Sequence, residues 1–243
     1  MLIYDIHSHF GPTSSGECVT ASDMYHDLSS YGIQKVGISC LSGVSTLEQN
    51  DLVYTIQREL PDFVEAYAFI NPKDPHALDE IDRCLGDLKM NGVKFHSWKQ
   101  GYYPDNRPEL DDIFSQIEHY GVHVQMHVGT APLSNPYTWS EHARKHPKID
   151  FVFTHMGYYE FGLSCIEMAL RYKNIYLETS GQMNPLILKD AIKKIGSQRI
   201  VFGTDWPYKP VNIEIDKLLH LDLNSDDLEN IFYKNAMYLW RQS

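Results

Sequence analysis

The sequence predicts an α/β fold: a single (β/α)₈ barrel of the TIM type with an extra C-terminal helix, spanning residues 1–243 as one domain. Three observations carry this. Eight β-rich runs recur along the chain, each followed by a segment long enough for a helix, and that alternation implies parallel strands joined by right-handed crossovers. A length of 243 residues fits one barrel. No G-x-G-x-x-G or G-x-x-x-x-G-K-[ST] follows any run, so the nucleotide-binding forms of the runner-up, an open doubly wound sheet, lack their phosphate loop.

In order, the expected strands are 3–10 (IYDIHSHF), 35–41, 64–70, 92–98, 122–129, 150–157, 175–181 and 199–207 (RIVFGTDWP). Between them, STLEQNDLVYTIQREL, HALDEIDRCLGDLKM, PELDDIFSQIEHY and NPLILKDAIKKIG place apolar residues at i, i+3, i+4 and i+7, the stripe of an amphipathic helix. Pro108 suits a first helical turn, and Gly121 and Gly196 suit positions just past a helix. The tail NSDDLENIFYKNAMYLWRQS reads as one more helix, capped by Asn224 or Ser225 and packed on the barrel exterior.

Composition bounds the function. The chain is 43% hydrophobic and 22% charged, an ordinary globular balance, and 32 acidic against 21 basic side chains give a net charge of −11, the wrong sign for a surface that tracks phosphates. Cys18, Cys40, Cys84 and Cys165 form no C-x-x-C and read as reduced thiols in or near the core. The N-terminus has no basic region followed by an apolar one, and no apolar stretch approaches the ~18 residues of a membrane span. The expectation is a cytoplasmic protein that acts on a small molecule, with no nucleic-acid or membrane partner and a homo-oligomer left open.

The chemistry collects at strand ends. His7 and His9 lie two apart on one strand and so share a face. His96, His127 and His155 fall at the C-terminal ends of the fourth, fifth and sixth strands, and Asp205 at the end of the eighth. In a barrel those ends form the face that carries the active site. Imidazole and carboxylate together suit Zn²⁺, Mn²⁺ or Fe²⁺. Any one of these histidines alone is better explained by packing; the set of six groups is not. His26, His76, His119, His142, His146 and His220 fall in helical or connecting segments and read as solvated, and His123 begins the fifth strand, away from the mouth.

DIHSHF, GVKFH, VQMHVG, FTHMG, NIYLETSG, RIVFGTDWPY and NAMYLW, in this order from about residue 3 to 240, resemble the amidohydrolase superfamily, specifically its amidohydrolase-related branch. The resemblance implies a distorted (β/α)₈ barrel with a divalent metal, most simply zinc, with manganese or iron as alternatives. It implies His7, His9, His127 and Asp205 as metal ligands, with His155 acting on the substrate. Lys94 stands where binuclear members carry a carboxylated lysine; the expectation here is one metal, with Lys94 or His96 contacting substrate or outer-shell groups. The resemblance covers both hydrolases and decarboxylases.

The first functional expectation is a metal-dependent hydrolase of a small amide, ester or lactone, in which Asp205 takes a proton from a metal-activated water and His155 polarises the carbonyl. The alternative is a metal-dependent non-oxidative decarboxylase on the same scaffold, and a third reading is a metal-binding protein without turnover. The segment SWKQGYYPDNRPE after the fourth strand offers Lys99, Tyr102, Tyr103 and Arg107 as substrate contacts, with Tyr102 and Arg107 expected to bind the substrate. Trp206 and Tyr208 follow Asp205 as candidate pocket walls. Asp5, one layer deeper than His7, either orients a ligand imidazole or is a hydrogen-bonded structural carboxylate.

Overall fold

The computed structural model describes residues 1–12, 16, 19–41 and 46–241. Cys18, the first residue of the STLEQ helical pattern and the last two residues of the tail lie outside the described residues. Among the described residues nine short strands run in chain order: β1 (Ile3–His9), β2 (Ile33–Ser39), β3 (Val64–Ala66), β4 (Ala68–Phe69), β5 (Gly92–Phe95), β6 (His123–His127), β7 (Phe151–Thr154), β8 (Ile175–Glu178) and β9 (Ile200–Val201). All pair in parallel, as β1-β2-β3 and as β4 through β9.

Two seams join these sheets into a barrel of eight staves. At the first, β3 and β4 are one stave interrupted at Tyr67, whose N–H donates to Ile38 O (2.8 Å) while Asn91 N–H donates to Ala66 O (3.0 Å). At the second, Ile6 N–H donates to Phe202 O (3.0 Å), Asp205 N–H to His7 O (2.7 Å) and His9 N–H to Trp206 O (2.7 Å). The expected eighth strand is regular only over Ile200–Val201, because Asp205 turns to φ +59°, outside the extended region, while the chain around it still bonds β1.

The staves are nearly continuous runs of buried residues, as expected where helices cover one side and barrel filling the other. β6 shows the division: Val124 and Met126 join the apolar layer beneath the helices, while the alternate residues His123, Gln125 and His127 share the opposite face, from barrel base to mouth.

Helices α1 (Ala21–Ser30), α2 (Thr46–Glu59), α3 (Ala77–Ile81), α4 (Ser97–Gln100), α5 (Glu109–Tyr120), α6 (Pro136–Lys145), α7 (Tyr158–Arg171), α8 (Pro185–Ile195) and α9 (Val211–Leu219) occupy the crossovers. α5 buries Leu110, Ile113, Phe114 and Ile117 along one stripe and stops at Gly121, which takes the left-handed conformation (φ 67°) open to glycine at no steric cost. α8 is capped by Asn184, whose side chain accepts from Leu186 N–H (3.0 Å). The helix expected over 76–90 runs as α3 and then widens into a π turn over Asp82–Asp87.

The tail forms the expected extra helix, widened at its middle, and departs from expectation only in where its end packs. Asn224 caps α10 (Ser225–Glu229), accepting from Asp227 N–H (2.9 Å), a π turn spans Asn230–Lys234, and α11 (Asn235–Leu239) follows. The first part of this segment joins the apolar layer outside the strands through Ile231 and Phe232, while Ala236, Leu239 and Trp240 turn under the barrel and close its base against Ile6, Tyr67, Val152 and Val201. The apolar residues of NAMYLW find a better-buried surface at the open end of the strands than on helices already packed.

A second correction concerns His142 and His146, expected on a solvated face. Both are buried, on and just after α6, with ring centroids 5.1 and 5.5 Å from Phe114. His26, His76, His119 and His220 are exposed. Cys40, Cys84 and Cys165 are buried. Among the described residues, no helix is long and apolar enough to cross a membrane.

Candidate metal centre

The mouth is built from the ends of β1, β5, β6 and β7 and the turn after β9. His7, His9 and Asp205 bring one ligand atom each to within 4.8 Å of one another, all three buried. His9 Nε2 lies 3.2 Å and His7 Nε2 3.9 Å from Asp205 Oδ1. A second group, His7, His155 and Glu178, meets the same distance test, but through a hydrogen bond: His7 Nδ1–H donates to Glu178 Oε2 at 2.8 Å. His7 therefore presents Nε2 to the first group. His9 is fixed in the same way, with Nδ1 on Ser39 O (3.2 Å) and Ser39 Oγ (3.1 Å). Two imidazoles locked at Nδ1 by outer partners, with Nε2 turned to a carboxylate, form a donor set that suits a divalent cation.

The electrostatics agree. Burial, reinforced by the neighbouring Lys94 and by the other histidines, holds His7 well below the usual imidazole range; His96, His127 and His155 are depressed by the same causes. They are neutral rings, the form in which histidine ligates. Lys94 is fully buried, its Nζ 2.8 Å from His7 Nε2, and burial pushes it down to about 7 against the pull of Asp205 and Glu178.

His155 and Asp205 share a backbone signature. Both have positive φ (64° and 59°), a conformation that non-glycine residues hold only when the surroundings impose it. Glu178 Oε2 accepts from His155 N–H (3.0 Å), and His7 O accepts from Asp205 N–H. His155 Nδ1–H donates to Ser180 O (3.2 Å), leaving Nε2 for the cavity. Glu178 thus holds two candidate site residues at once, gripped in turn by Ser180 N–H and by Ser180 Oγ–H (2.9 Å). Burial pushes its carboxyl up, and these donors oppose the shift. Gly203 makes this crowding feasible, since a Cβ there would fall 2.5 Å from Glu178 Oε1 and 2.8 Å from His7 Cβ.

Above the donors lies a cavity of about 280 Å³ walled by Trp98, Tyr158 and Tyr208, with His9, His96, His127, His155 and Asp205 in its lining. Tyr158 stacks on His155 (4.3 Å between centroids) and His96 on His127 (3.9 Å).

The structure thus gathers His7, His9, Asp205 and His155 as expected, and sets His127 beside them, its ring 4.9 Å from that of His155. His96 faces the cavity and Lys94 lies beneath it. Two expected substrate contacts fall elsewhere. Tyr102 turns inward from its loop and packs edge-on against Trp139 (6.2 Å), because its ring finds apolar cover there, and Arg107 pairs with Glu109 (3.7 Å) away from the cavity lining. Asp5 orients no imidazole ring. It accepts from His7 N–H (2.9 Å), Ser8 Oγ–H (2.6 Å) and both donors of Thr204, tying β1 to the turn before Asp205. The orienting carboxylate is Glu178, which lies at the C-terminal end of its strand, the same criterion that singles out Asp205. Trp206 sends its Nε1–H to Asp27 (2.6 Å), outward from the cavity.

A family model described as amidohydrolase matches residues 18–242. The chain belongs to the amidohydrolase family. The match begins after β1, so the pairing of His7 with His9 stands on the geometry. Among curated relatives, γ-resorcylate decarboxylase of Rhizobium sp. (strain MTP-10005) is 24% identical over 79% of this chain and 74% of its own length. Among solved structures, 5-carboxyvanillate decarboxylase from Sphingomonas paucimobilis superposes with a TM-score of 0.82 at 15% identity, covering 100% of this chain and 99% of that one. A dihydroxybenzoic acid decarboxylase from Polaromonas sp. JS666, with bound manganese and 2-nitroresorcinol, superposes with a TM-score of 0.78 at 18% identity, covering 99% and 97%. These relatives overturn the hydrolase expectation and favour the decarboxylase alternative. The ligand motifs are common to both reactions and do not encode which bond breaks, so the sequence pattern alone could not choose.

Proposed function

We propose that the protein is a divalent-metal-dependent, non-oxidative decarboxylase of a small aromatic carboxylic acid. The observation that carries the reading is the match to γ-resorcylate decarboxylase over 79% of the chain, with the buried donor set at the barrel mouth in support. A cavity of about 280 Å³, walled by aromatic rings, has the size and surface for one substituted benzene ring.

His7 and His9 through Nε2 and Asp205 through Oδ1 would hold the cation, with His127 as the fourth ligand. Manganese is preferred over zinc on the strength of the manganese-bound neighbour, and a mixed imidazole and carboxylate set accepts either. When bound, the cation supplies Lewis acidity to the oxygens of the substrate. His155, with its Nδ1–H held by Ser180 O, has Nε2 free to take a proton from a substrate hydroxyl or from solvent and pass it to the ring carbon. The bond from that carbon to the carboxylate breaks, CO₂ leaves, and the electron pair left behind is the one that the delivered proton captures. His96 lies against the ring, and Trp98 and Tyr158 keep water from the reacting carbon.

Carboxyl-labelled 2,6-dihydroxybenzoate incubated in D₂O with the manganese-loaded protein tests the reading. Labelled CO₂ together with one deuterium at the vacated ring carbon is expected; a panel of hydroxybenzoates that releases no label would refute it.

A further inference from the structure

Two cations line the mouth cavity, Lys99 and Lys209; among the described residues lining it there are no others. Each is poised over a tyrosine wall: Lys99 Nζ lies 5.9 Å from the Tyr208 ring centroid and Lys209 Nζ 5.6 Å from that of Tyr158. These tyrosines in turn flank the reacting floor, Tyr208 beside His9 (5.6 Å) and Tyr158 on His155 (4.3 Å). Lys99 follows His96 by three residues and Lys209 follows Asp205 by four, so both stand outward of the donors. Among the described residues neither has a carboxylate within ion-pair distance, and the one hydrogen bond of Lys99 Nζ goes to Leu41 O, at 3.3 Å. In a chain of net charge −11, two cations without a carboxylate partner facing one small cavity form an anion site.

Decarboxylation decides which anion. The leaving carboxylate loses its charge as CO₂ forms, so an ammonium beside it would stabilise the ground state more than the transition state and slow the reaction. Cations help such a reaction only on a group whose charge persists. We propose that Lys99 and Lys209 bind a second carboxylate of the substrate, one that stays on the product, and hence that this enzyme prefers aromatic dicarboxylates over monocarboxylates. The step itself remains balanced: one carbon–carbon bond breaks, the ring carbon gains one proton, one CO₂ departs, and the second carboxylate leaves with the product unchanged.

The inference rests on the decarboxylase reading, and binding measurements separate the two. Benzoate and isophthalate, which lack the ring hydroxyls of the relatives' substrates, are titrated calorimetrically into the manganese-loaded protein, its Lys99→Met and Lys209→Met variants, the double variant and Lys209→Arg. Isophthalate should bind the native protein at least tenfold tighter than benzoate. That preference should shrink in each single variant, fall to within about twofold of parity in the double variant, and survive in Lys209→Arg. Equal affinities in the native protein, or a preference that the double variant keeps, would overturn the inference. CO₂ release from hydroxylated mono- and dicarboxylates is then followed on the same samples. An intact binding preference with no CO₂ from any acid would sink the decarboxylase reading and leave the dianion site standing. CO₂ release without a dicarboxylate preference would do the reverse.

Discussion

The two ends of the barrel hold buried histidines in opposite circumstances. At the base, His123 sends Nδ1–H to Leu239 O (3.2 Å), Gln125 Nε2–H donates to Ile6 O (2.7 Å), and Trp240 Nε1–H donates to Tyr67 Oη (2.6 Å); each bond ties the strands to one another or to the C-terminal segment. At the mouth, the Nδ1 atoms of His7, His9 and His155 are tied back to outer partners in the same way, while their Nε2 atoms converge on Asp205 and the cavity. Residue type and burial are the same at both ends. What separates the structural histidine from the proposed ligands is where the second nitrogen points.

That comparison can be broken at several places. The largest effect is expected at Asp205. Asp205→Asn keeps the size and one oxygen donor but removes the charge, so kcat/KM for CO₂ release should fall by about 10³-fold or more while the far-UV spectrum stays native. His155→Ala should retain manganese and lose turnover by ~10² to 10⁴-fold, the scale of a positioned acid or base; a metal-free variant would instead make His155 a ligand.

At the base the readout is stability. Trp240→Ala removes a large buried ring and leaves the Tyr67 hydroxyl without its donor, and should cost about 3–5 kcal/mol in urea unfolding with manganese affinity unchanged. Glu178→Gln lies between the extremes, weakening manganese affinity ~10 to 100-fold by disturbing the tautomer and aim of His7.

The smallest effect at any one pH step sharpens the contrast through titration. Unfolded histidine takes its proton near 6.5, whereas burial pushes folded His123 down to about 3. Between those values the unfolded chain holds one more proton, so stability falls as pH drops through the window, by about 1.4 kcal/mol per unit for this residue. His123→Asn should remove that one-proton slope from unfolding curves measured between pH 6 and 4. Manganese affinity should still weaken on the acid side in the same variant, as protons compete for the mouth histidines.

Much of this was legible in the sequence, for a physical reason. The alternation of strand and helix, and the placing of His7, His9, His155 and Asp205 at one end of the barrel, follow from the two-residue period of strands and the polarity of a parallel barrel. What was not legible depends on contacts remote in the chain. Glu178 meets His7 across 171 residues of sequence, and nothing local to either says that Glu178, rather than Asp5, turns the ring. Loop composition points to Tyr102 and Arg107 but carries no direction; the Tyr102 ring packs on Trp139 and Arg107 pairs with Glu109. The tail was readable as helical but not as a plug, because its partners at the base come from β1, β7, β9 and the Tyr67 junction.

The mouth is proposed to be a metal site and the base is not. Elemental analysis of protein purified in manganese, native and variant, tests this most directly. About one divalent ion per chain is predicted for the native protein and for His123→Asn, and less than a tenth of that for His9→Ala and Asp205→Ala. Native protein that stays metal-free after reconstitution, or His9→Ala and Asp205→Ala variants that hold the ion as well as the native chain, would contradict it.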